Sequence, residues 1–141
     1  MKIIVGARAA ETVNPFYVAH GATAFARPED LFFTAFDGDE LIGSVRFCVE
    51  EKTPMLRSMM IHEGYRKRGV GQALLGRFET YLDEQAFRLT HCLPYGHLVA
   101  FYGQIGFGVI PEIQAPPFLL ERLAGYRTKN PTVDYICMRR P

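Results

Sequence analysis

Short apolar runs dominate the first 61 residues and predict β-strands. They are rich in β-branched and aromatic residues and are separated by Gly, Pro and Asp, which is the pattern of strands joined by turns. Asp37-Gly38 lies between two of the runs and favours a tight hairpin, because both residue types tolerate positive φ angles. The predicted strands are Ile3–Val5, Leu31–Phe36, Leu41–Val49 and Met55–Ile61.

The segment between the first two strands predicts one short helix, over residues 16–25. Asn14-Pro15 comes before it and Arg27-Pro28 comes after it.

From residue 70 the spacing of apolar residues changes to that of an amphipathic helix. Val70, Leu74, Phe78 and Leu82 recur at i, i+4 and predict a helix that ends near Gln85. The remaining pattern predicts strands over 87–93, 107–110 and 135–138, a helix over 98–105 that stops at Gly106, and a short helix from Pro117 to about Leu123. This order predicts an α/β (α+β) fold with a mixed sheet, and the absence of a linker predicts a single domain over residues 1–141.

Composition excludes several classes of protein. The chain is 48% apolar and 22% charged with a net charge of +1, which is typical of a globular protein and gives no broad basic face for nucleic acid. No apolar run is long enough to span a membrane. Cys48, Cys92 and Cys137 are widely spaced, which predicts reduced thiols in a cytoplasmic protein. The four histidines form no HxH or HxxxH pair, so no metal site is expected.

The most informative segment is the junction between the strand at Met55–Ile61 and the helix at Val70. It reads Arg66-Lys67-Arg68-Gly69-Val70-Gly71-Gln72. The first N–H groups of a helix lack internal partners and carry partial positive charge, so they bind anions. Glycines let a phosphate approach the backbone, and arginines add donors that fit phosphate oxygens. The residues therefore predict a phosphate or pyrophosphate site, with an exposed turn of solvated charges as the alternative.

The same junction resembles the [Q/R]-x-x-G-x-[G/A] signature of the GNAT superfamily of N-acetyltransferases. Residues 66–71 carry it, and Phe101-Tyr102-Gly103-Gln104-Ile105-Gly106-Phe107 is similar to the family's F-Y-x-x-x-G-F element. No GxxxxGK[ST] or GxGxxG sequence supports a nucleotide-binding alternative. The resemblance covers residues 31–110 well. It implies a mostly antiparallel sheet that is splayed in the middle, with helices on both faces.

The resemblance also implies a function, which is acetyl transfer from acetyl-CoA to an amine. In the family, the strand that matches Met59–Ile61 bonds to the pantetheine arm, and the residue that matches Tyr102 protonates the leaving thiolate. The loop and the start of the helix hold the pyrophosphate. The residues expected to bind the coenzyme are Met59, Met60, Ile61, Arg66, Lys67, Arg68, Gly69, Val70, Gly71 and Gln72.

The chain departs from the family pattern in two places. Tyr95 stands where many members carry Asn, and residues 54–57 contain no carboxylate that could act as a base. Glu50, Glu51 and His91 are candidates for the base, although a structural role is the expected one for each. The acceptor stays open, with a small molecule favoured over a protein, and the protein is expected to be a monomer or a homodimer. The alternative function is a CoA-binding sensor or interaction module without transferase activity.

Overall fold

Four antiparallel strands form the sheet of residues 1–87, called the first unit below. They pair in the order β1-β2-β3-β4. The structure is a computed structural model that describes residues 1–6, 10–20 and 29–141. The four strands confirm those predicted from the apolar runs, and Gly38 has the positive φ expected of the hairpin, at 60°. Their bounds are β1 Lys2–Gly6, β2 Leu31–Asp37, β3 Glu40–Glu50 and β4 Thr53–Ile61.

Helices cover both faces of this sheet. Helix α2 (Val70–Glu84) packs on one face, where the rings of Phe33 and Phe47 lie 5.2 and 6.0 Å from that of Phe78. Helix α1 (Ala10–Ala19) lies on the face that carries Ser44, since the phenol of Tyr17 reaches both Ser44 and the backbone of β4. The placement of helices on both faces is thus seen within the first unit.

Helix α1 corrects the prediction of a helix over 16–25. It begins at Ala10 and ends at Ala19, with Pro15 inside it, while residues 21–25 lie outside the described part of the chain. Val13, Phe16 and Tyr17 occupy i, i+3 and i+4 and are all buried. Their burial offsets the backbone hydrogen bond that Pro15 cannot donate.

Strand β4 contains a bulge at Ser58. Arg46 of β3 pairs with Arg57 and Ser44 pairs with Met60, so two residues of β4 stand opposite one residue of β3. Ser58 adopts a φ of 55°, which is uncommon for a residue other than glycine. A bulge of this kind bends its strand and changes the direction of its peptide groups.

Residues 88–141, the second unit, contain three short antiparallel strands in the order β5-β7-β6 and two helices. Three predicted strands were wrong in extent. β5 is shorter than 87–93, β6 is shorter than 107–110, and β7 begins three residues after the start of 135–138 and shares only Met138 with that range. The helix predicted to end at Leu123 continues to Lys129. The bounds are β5 Thr90–Cys92, α3 Val99–Gly103, β6 Gly108–Val109, α4 Pro117–Lys129 and β7 Met138–Arg140.

The displacement of β7 has a physical reason. Tyr135 makes only an isolated bridge with Tyr95, and the N–H of Ile136 donates to the carbonyl of Pro94 at 3.0 Å. The ladder itself begins at Met138 and includes Arg139 and Arg140. An apolar pattern cannot reveal a strand that contains two arginines. The fold class is nevertheless the predicted α/β with a mostly antiparallel arrangement of strands, while the splay at the middle of the sheet stays a prediction.

None of the helices in the described ranges has the length and apolar character needed to cross a membrane.

Candidate functional site

The connection between β4 and α2 is short and fixed by backbone hydrogen bonds. The N–H of His62 donates to the carbonyl of Ile42 at 2.7 Å. A 3₁₀ turn over Glu63–Tyr65 follows, and the Nδ1 atom of His62 accepts from the N–H of Gly64 at 3.0 Å. The end of the strand is thereby held at one fixed distance from the start of the helix.

Residues 66–69, called the basic loop below, include two residues with left-handed backbone conformations. Lys67 has a φ of 62° and Gly69 has a φ of 83°. A Cβ atom added at Gly69 would meet no atom of the described residues within 4 Å. Left-handed residues in a turn can direct successive N–H groups to the same side, where they form an anion-binding concavity.

The first turn of α2 offers backbone donors directly after these two left-handed residues. The first intrahelical bond runs from the N–H of Ala73 to the carbonyl of Gly69 at 3.0 Å. Helix geometry therefore leaves the N–H groups of Val70 and Gly71 without a partner inside the helix. No side chain of the described residues caps this end, and the first turn carries no acidic residue. The partial positive charge of the helix start is therefore not neutralised by an acidic residue of its first turn, which suits a phosphate group.

The two arginines of the loop lie at its surface. The Nε atom of Arg66 donates to the carbonyl of Ile61 at 3.3 Å, and the guanidinium of Arg68 lies 4.9 Å above the ring of Tyr65. Arg68 also reaches the carbonyl of Gly64 at 3.5 Å. A guanidinium has five N–H donors, so both side chains can keep these contacts and still bind a phosphate.

Tyr65 connects the loop to the β2–β3 hairpin. Its hydroxyl donates to Oδ2 of Asp37 at 2.6 Å, and Oε2 of Glu40 lies at 3.4 Å. The bond to Asp37, more than burial, raises the pKa of Tyr65 to about 12. Glu40 also lies 3.6 Å from Nε2 of His62. This polar network holds the turn before the basic loop in position.

Gly43 is a residue whose role the pattern analysis missed. A Cβ atom at this position of β3 would lie 3.0 Å from side-chain carbons of Ile61 and Val70, and 3.1 Å from one of Leu74. Glycine at this position lets the first turn of α2 approach the sheet without displacing these side chains. The available signal was a glycine inside an otherwise apolar strand, which often marks close approach of another segment.

The three β4 residues predicted to contact a ligand are partly exposed. Met59, Met60 and Ile61 are of intermediate exposure, whereas Met55 and Leu56 of the same strand are buried. The structure therefore brings residues 59–61 and 66–72 together in the first unit, as the end of one strand and the start of the next helix.

Tyr102 belongs to the second unit. It lies on α3, where its side chain is buried and its ring contacts those of Phe101 and Phe107 at 5.0 and 6.2 Å. Its carbonyl accepts from the N–H of Ile105 at 3.3 Å, and Gly106 follows with a φ of 94°. The tight end of this short helix fixes the backbone at Tyr102.

The candidate bases have well-defined surroundings. Glu50 accepts from Nη1 of Arg57 at 2.7 Å, as expected of a structural ion pair. Nδ1 of His91 lies 2.8 Å from the carbonyl of Leu89, so it carries the proton, and Nε2 is buried. Burial, with a smaller contribution from the charge of Arg139, lowers the pKa of His91, so the neutral imidazole is favoured.

The cysteines and the possible metal ligands add no further chemistry. All three cysteines are buried and free of disulfides. Burial raises the pKa of Cys48 to about 12, and that of Cys92 is also raised, so neither thiol is activated. Across the described ranges, no group of three His, Cys, Asp or Glu side chains could hold a metal ion.

Comparison with known proteins gives a family match and a set of similar folds. The family model described as "Acetyltransferase (GNAT) family" matches residues 7–107, a range that includes parts of both units. No curated protein matches the chain significantly in sequence. Many solved structures do match in fold.

Three of these structures illustrate the range of proteins that share this fold. ElaA of Escherichia coli has a TM-score of 0.70 at 14% identity, with all of both chains covered. The ribosomal-protein-S18-alanine N-acetyltransferase of E. coli has a TM-score of 0.68 at 16% identity, covering 99% of this chain and 94% of that one. The N-acetylglutamate synthase of Neisseria gonorrhoeae, complexed with coenzyme A and N-acetyl-glutamate, has a TM-score of 0.64 at 13% identity, covering 100% and 36%. At these identities the likeness is one of fold.

Proposed function

Because the chain belongs to the GNAT family of acetyltransferases, we propose that it moves an acetyl group from acetyl-CoA to a primary amine. The observation that carries this proposal is the start of α2, which has no side-chain cap and follows left-handed residues at Lys67 and Gly69. This arrangement fits the pyrophosphate of a coenzyme, which carries the charge that such a helix start stabilises.

Coenzyme binding is assigned to two adjacent segments. The backbone N–H groups of residues 69–72 bind the pyrophosphate oxygens, and the side chains of Arg66, Lys67 and Arg68 supply additional positive charge. Residues 59–61 offer backbone groups to the pantetheine arm. The partial exposure of these strand residues and the fixed connection through His62 support this division of roles.

The reaction is a direct transfer in a ternary complex. The neutral amine attacks the thioester carbonyl while the N–H of Met59 polarises its oxygen. The carbon–sulfur bond then breaks, and Tyr102 donates its proton to the leaving thiolate. The ammonium proton passes to solvent, and the Tyr102 phenolate regains a proton from solvent. The products are the N-acetylated amine and free coenzyme A. Because both reactants are held in one complex, no acyl-enzyme forms, and orientation supplies much of the acceleration.

The acceptor is proposed to be a small molecule with a primary amine. Among the similar structures, one is named for a protein acceptor and another holds an N-acetylated amino acid, so the fold suits both classes. The chain is proposed to act in the cytoplasm as a monomer or homodimer.

The test combines binding and turnover. Calorimetric titration with coenzyme A measures the first, and release of free thiol from acetyl-CoA with a panel of amines measures the second. We expect micromolar-range binding, on the order of −8 kcal/mol, and amine-dependent thiol release. Binding without turnover on any amine would instead support a coenzyme-binding sensor, and the absence of binding would remove the proposal.

A further inference from the structure

Tyr17 of α1 forms a hydrogen bond with the backbone of β4. Its hydroxyl donates to the carbonyl oxygen of Ser58 at 2.5 Å, and the side chain is 1% exposed. Burial, opposed by smaller effects of Ser44 and Arg46, raises the pKa of the phenol to about 12. The hydroxyl therefore stays protonated and remains a donor throughout the physiological pH range.

The acceptor of this bond lies at the bulge of β4. Ser58 has a φ of 55°, and it stands with Met59 opposite Val45 of β3. In a regular antiparallel strand the carbonyl groups lie in the plane of the sheet and bond to the neighbouring strand. At Ser58 the carbonyl instead accepts from a helix that covers one face of the sheet.

The direction of this carbonyl determines that of the next N–H. The peptide bond between Ser58 and Met59 is planar and trans, since the described residues contain no cis peptide. In a trans peptide the carbonyl and the N–H point in opposite directions. The N–H of Met59 is therefore directed away from Tyr17, toward the other side of the strand.

We propose that Tyr17 is a positioning residue that aims the Met59 N–H at the thioester carbonyl oxygen. It does so by holding the carbonyl of Ser58 on the face of the sheet covered by α1. This inference rests on the proposed function, in which Met59 polarises the thioester. It adds that α1, which is not part of the proposed coenzyme-binding segments, sets the direction of the Met59 N–H.

The first test is a kinetic comparison of Tyr17→Phe with wild type. Phenylalanine keeps the buried ring and removes only the donor. We expect kcat to fall roughly tenfold to hundredfold, because the donor is misdirected rather than removed. The dissociation constant for coenzyme A and the amine KM should each change less than about twofold, since the pyrophosphate site is untouched.

Tyr81→Phe is the matched control. Tyr81 is a partly buried tyrosine of the same unit that packs on Phe33 and Phe47 from the last turn of α2. Its variant should keep the wild-type kcat. An equal loss of kcat in both variants would show a general effect of losing a hydroxyl and would overturn the proposal.

The second test observes the peptide group directly. In ¹⁵N-labelled protein, Tyr17→Phe should shift the Met59 amide resonance, whereas Tyr81→Phe should leave it in place. A fluorinated tyrosine at position 17 is a stronger donor and should shift the same resonance in the opposite direction, which keeps the test available if Tyr17→Phe does not fold. An unmoved Met59 resonance, or a moved resonance with unchanged kcat, would overturn the positioning role. If wild type binds coenzyme A but acetylates no amine, the transfer function fails, and the resonance still decides whether Tyr17 orients this peptide.

Discussion

A Cβ atom at Gly43 would lie 3.0 Å from Cγ1 of Val70, the first residue of α2. This close approach places the start of the helix directly on β3. The position of the proposed pyrophosphate site therefore depends on a residue that is itself outside the site.

We expect Gly43→Val to weaken coenzyme binding by displacing the first turn of α2. The added side chain overpacks the contact with Ile61 and Leu74, which should lower the free energy of unfolding by about 1–3 kcal/mol. Urea unfolding and coenzyme titration measure the two effects.

Gly76→Ala is the control, because a Cβ atom there meets no described atom within 4 Å. It should bind coenzyme normally and gain up to about 1 kcal/mol of stability. Normal binding by Gly43→Val would show that the helix start tolerates displacement.

Gly71→Glu should abolish coenzyme binding while the protein stays folded. The carboxylate occupies the space assigned to the pyrophosphate and interacts favourably with the positive helix start, which stabilises the helix by about 0.3–1 kcal/mol. Binding and stability should therefore change in opposite directions. Gly71→Gln separates charge from volume, and we expect it to bind more weakly than wild type but more tightly than Gly71→Glu. Calorimetry and thermal unfolding give both quantities, and wild-type affinity in a folded Gly71→Glu protein would exclude this site for the pyrophosphate.

Tyr102→Phe should lower kcat by about 10²–10⁴-fold, the usual contribution of a general acid. Its effect on the dissociation constant for coenzyme A should be small, since proton donation occurs in the transition state. An unchanged kcat at saturating substrates would leave Tyr102 with a packing role between Phe101 and Phe107.

His91 should make the protein less stable in mild acid. Its folded-state pKa is lowered mainly by burial, so below an unfolded pKa of about 6.5 the unfolded chain binds the proton first. The contribution of His91 to the free energy of unfolding is thus constant at high pH and falls as the pH drops through the unfolded value. Between about pH 7.5 and about pH 5.5, the free energy of unfolding measured in urea should fall less in His91→Gln than in wild type. Equal losses in the two proteins would contradict this reading, and a large loss of kcat at neutral pH would instead identify His91 as the base.

The ion pair between Glu112 and Arg127 helps to hold helix α4 in place. Arg127 donates to both carboxylate oxygens of Glu112, at 2.9 and 2.8 Å, and to the carbonyl of Tyr135 at 3.2 Å. The hydrogen bonds from Arg127 lower the pKa of Glu112. Because both side chains are about half exposed, a double-mutant cycle with Glu112→Gln and Arg127→Gln should give a coupling of about 0.2–1 kcal/mol. That coupling should be present above the unfolded pKa of Glu and lost as the pH falls through the lower folded value.

The sequence by itself determined the elements that depend on local pattern. The i, i+4 spacing from Val70 to Leu82 predicted α2 because the same residues that form its apolar stripe are buried against the sheet. The Asp37-Gly38 hairpin and the four strands of the first unit were likewise predictable, since alternation and turn chemistry act over a few residues. The basic loop was identified for the same reason.

Tertiary structure decided the features that depend on distant residues. The burial of Val13 and Tyr17 stabilises α1 across Pro15, and the ladder with β5 selects Met138–Arg140 as a strand despite its arginines. The closeness of Gly43 to Val70 and the hydrogen bond from Tyr17 to Ser58 join positions 27 and 41 residues apart. No local pattern encodes such a contact, because its energy exists only once both segments are packed on the same sheet.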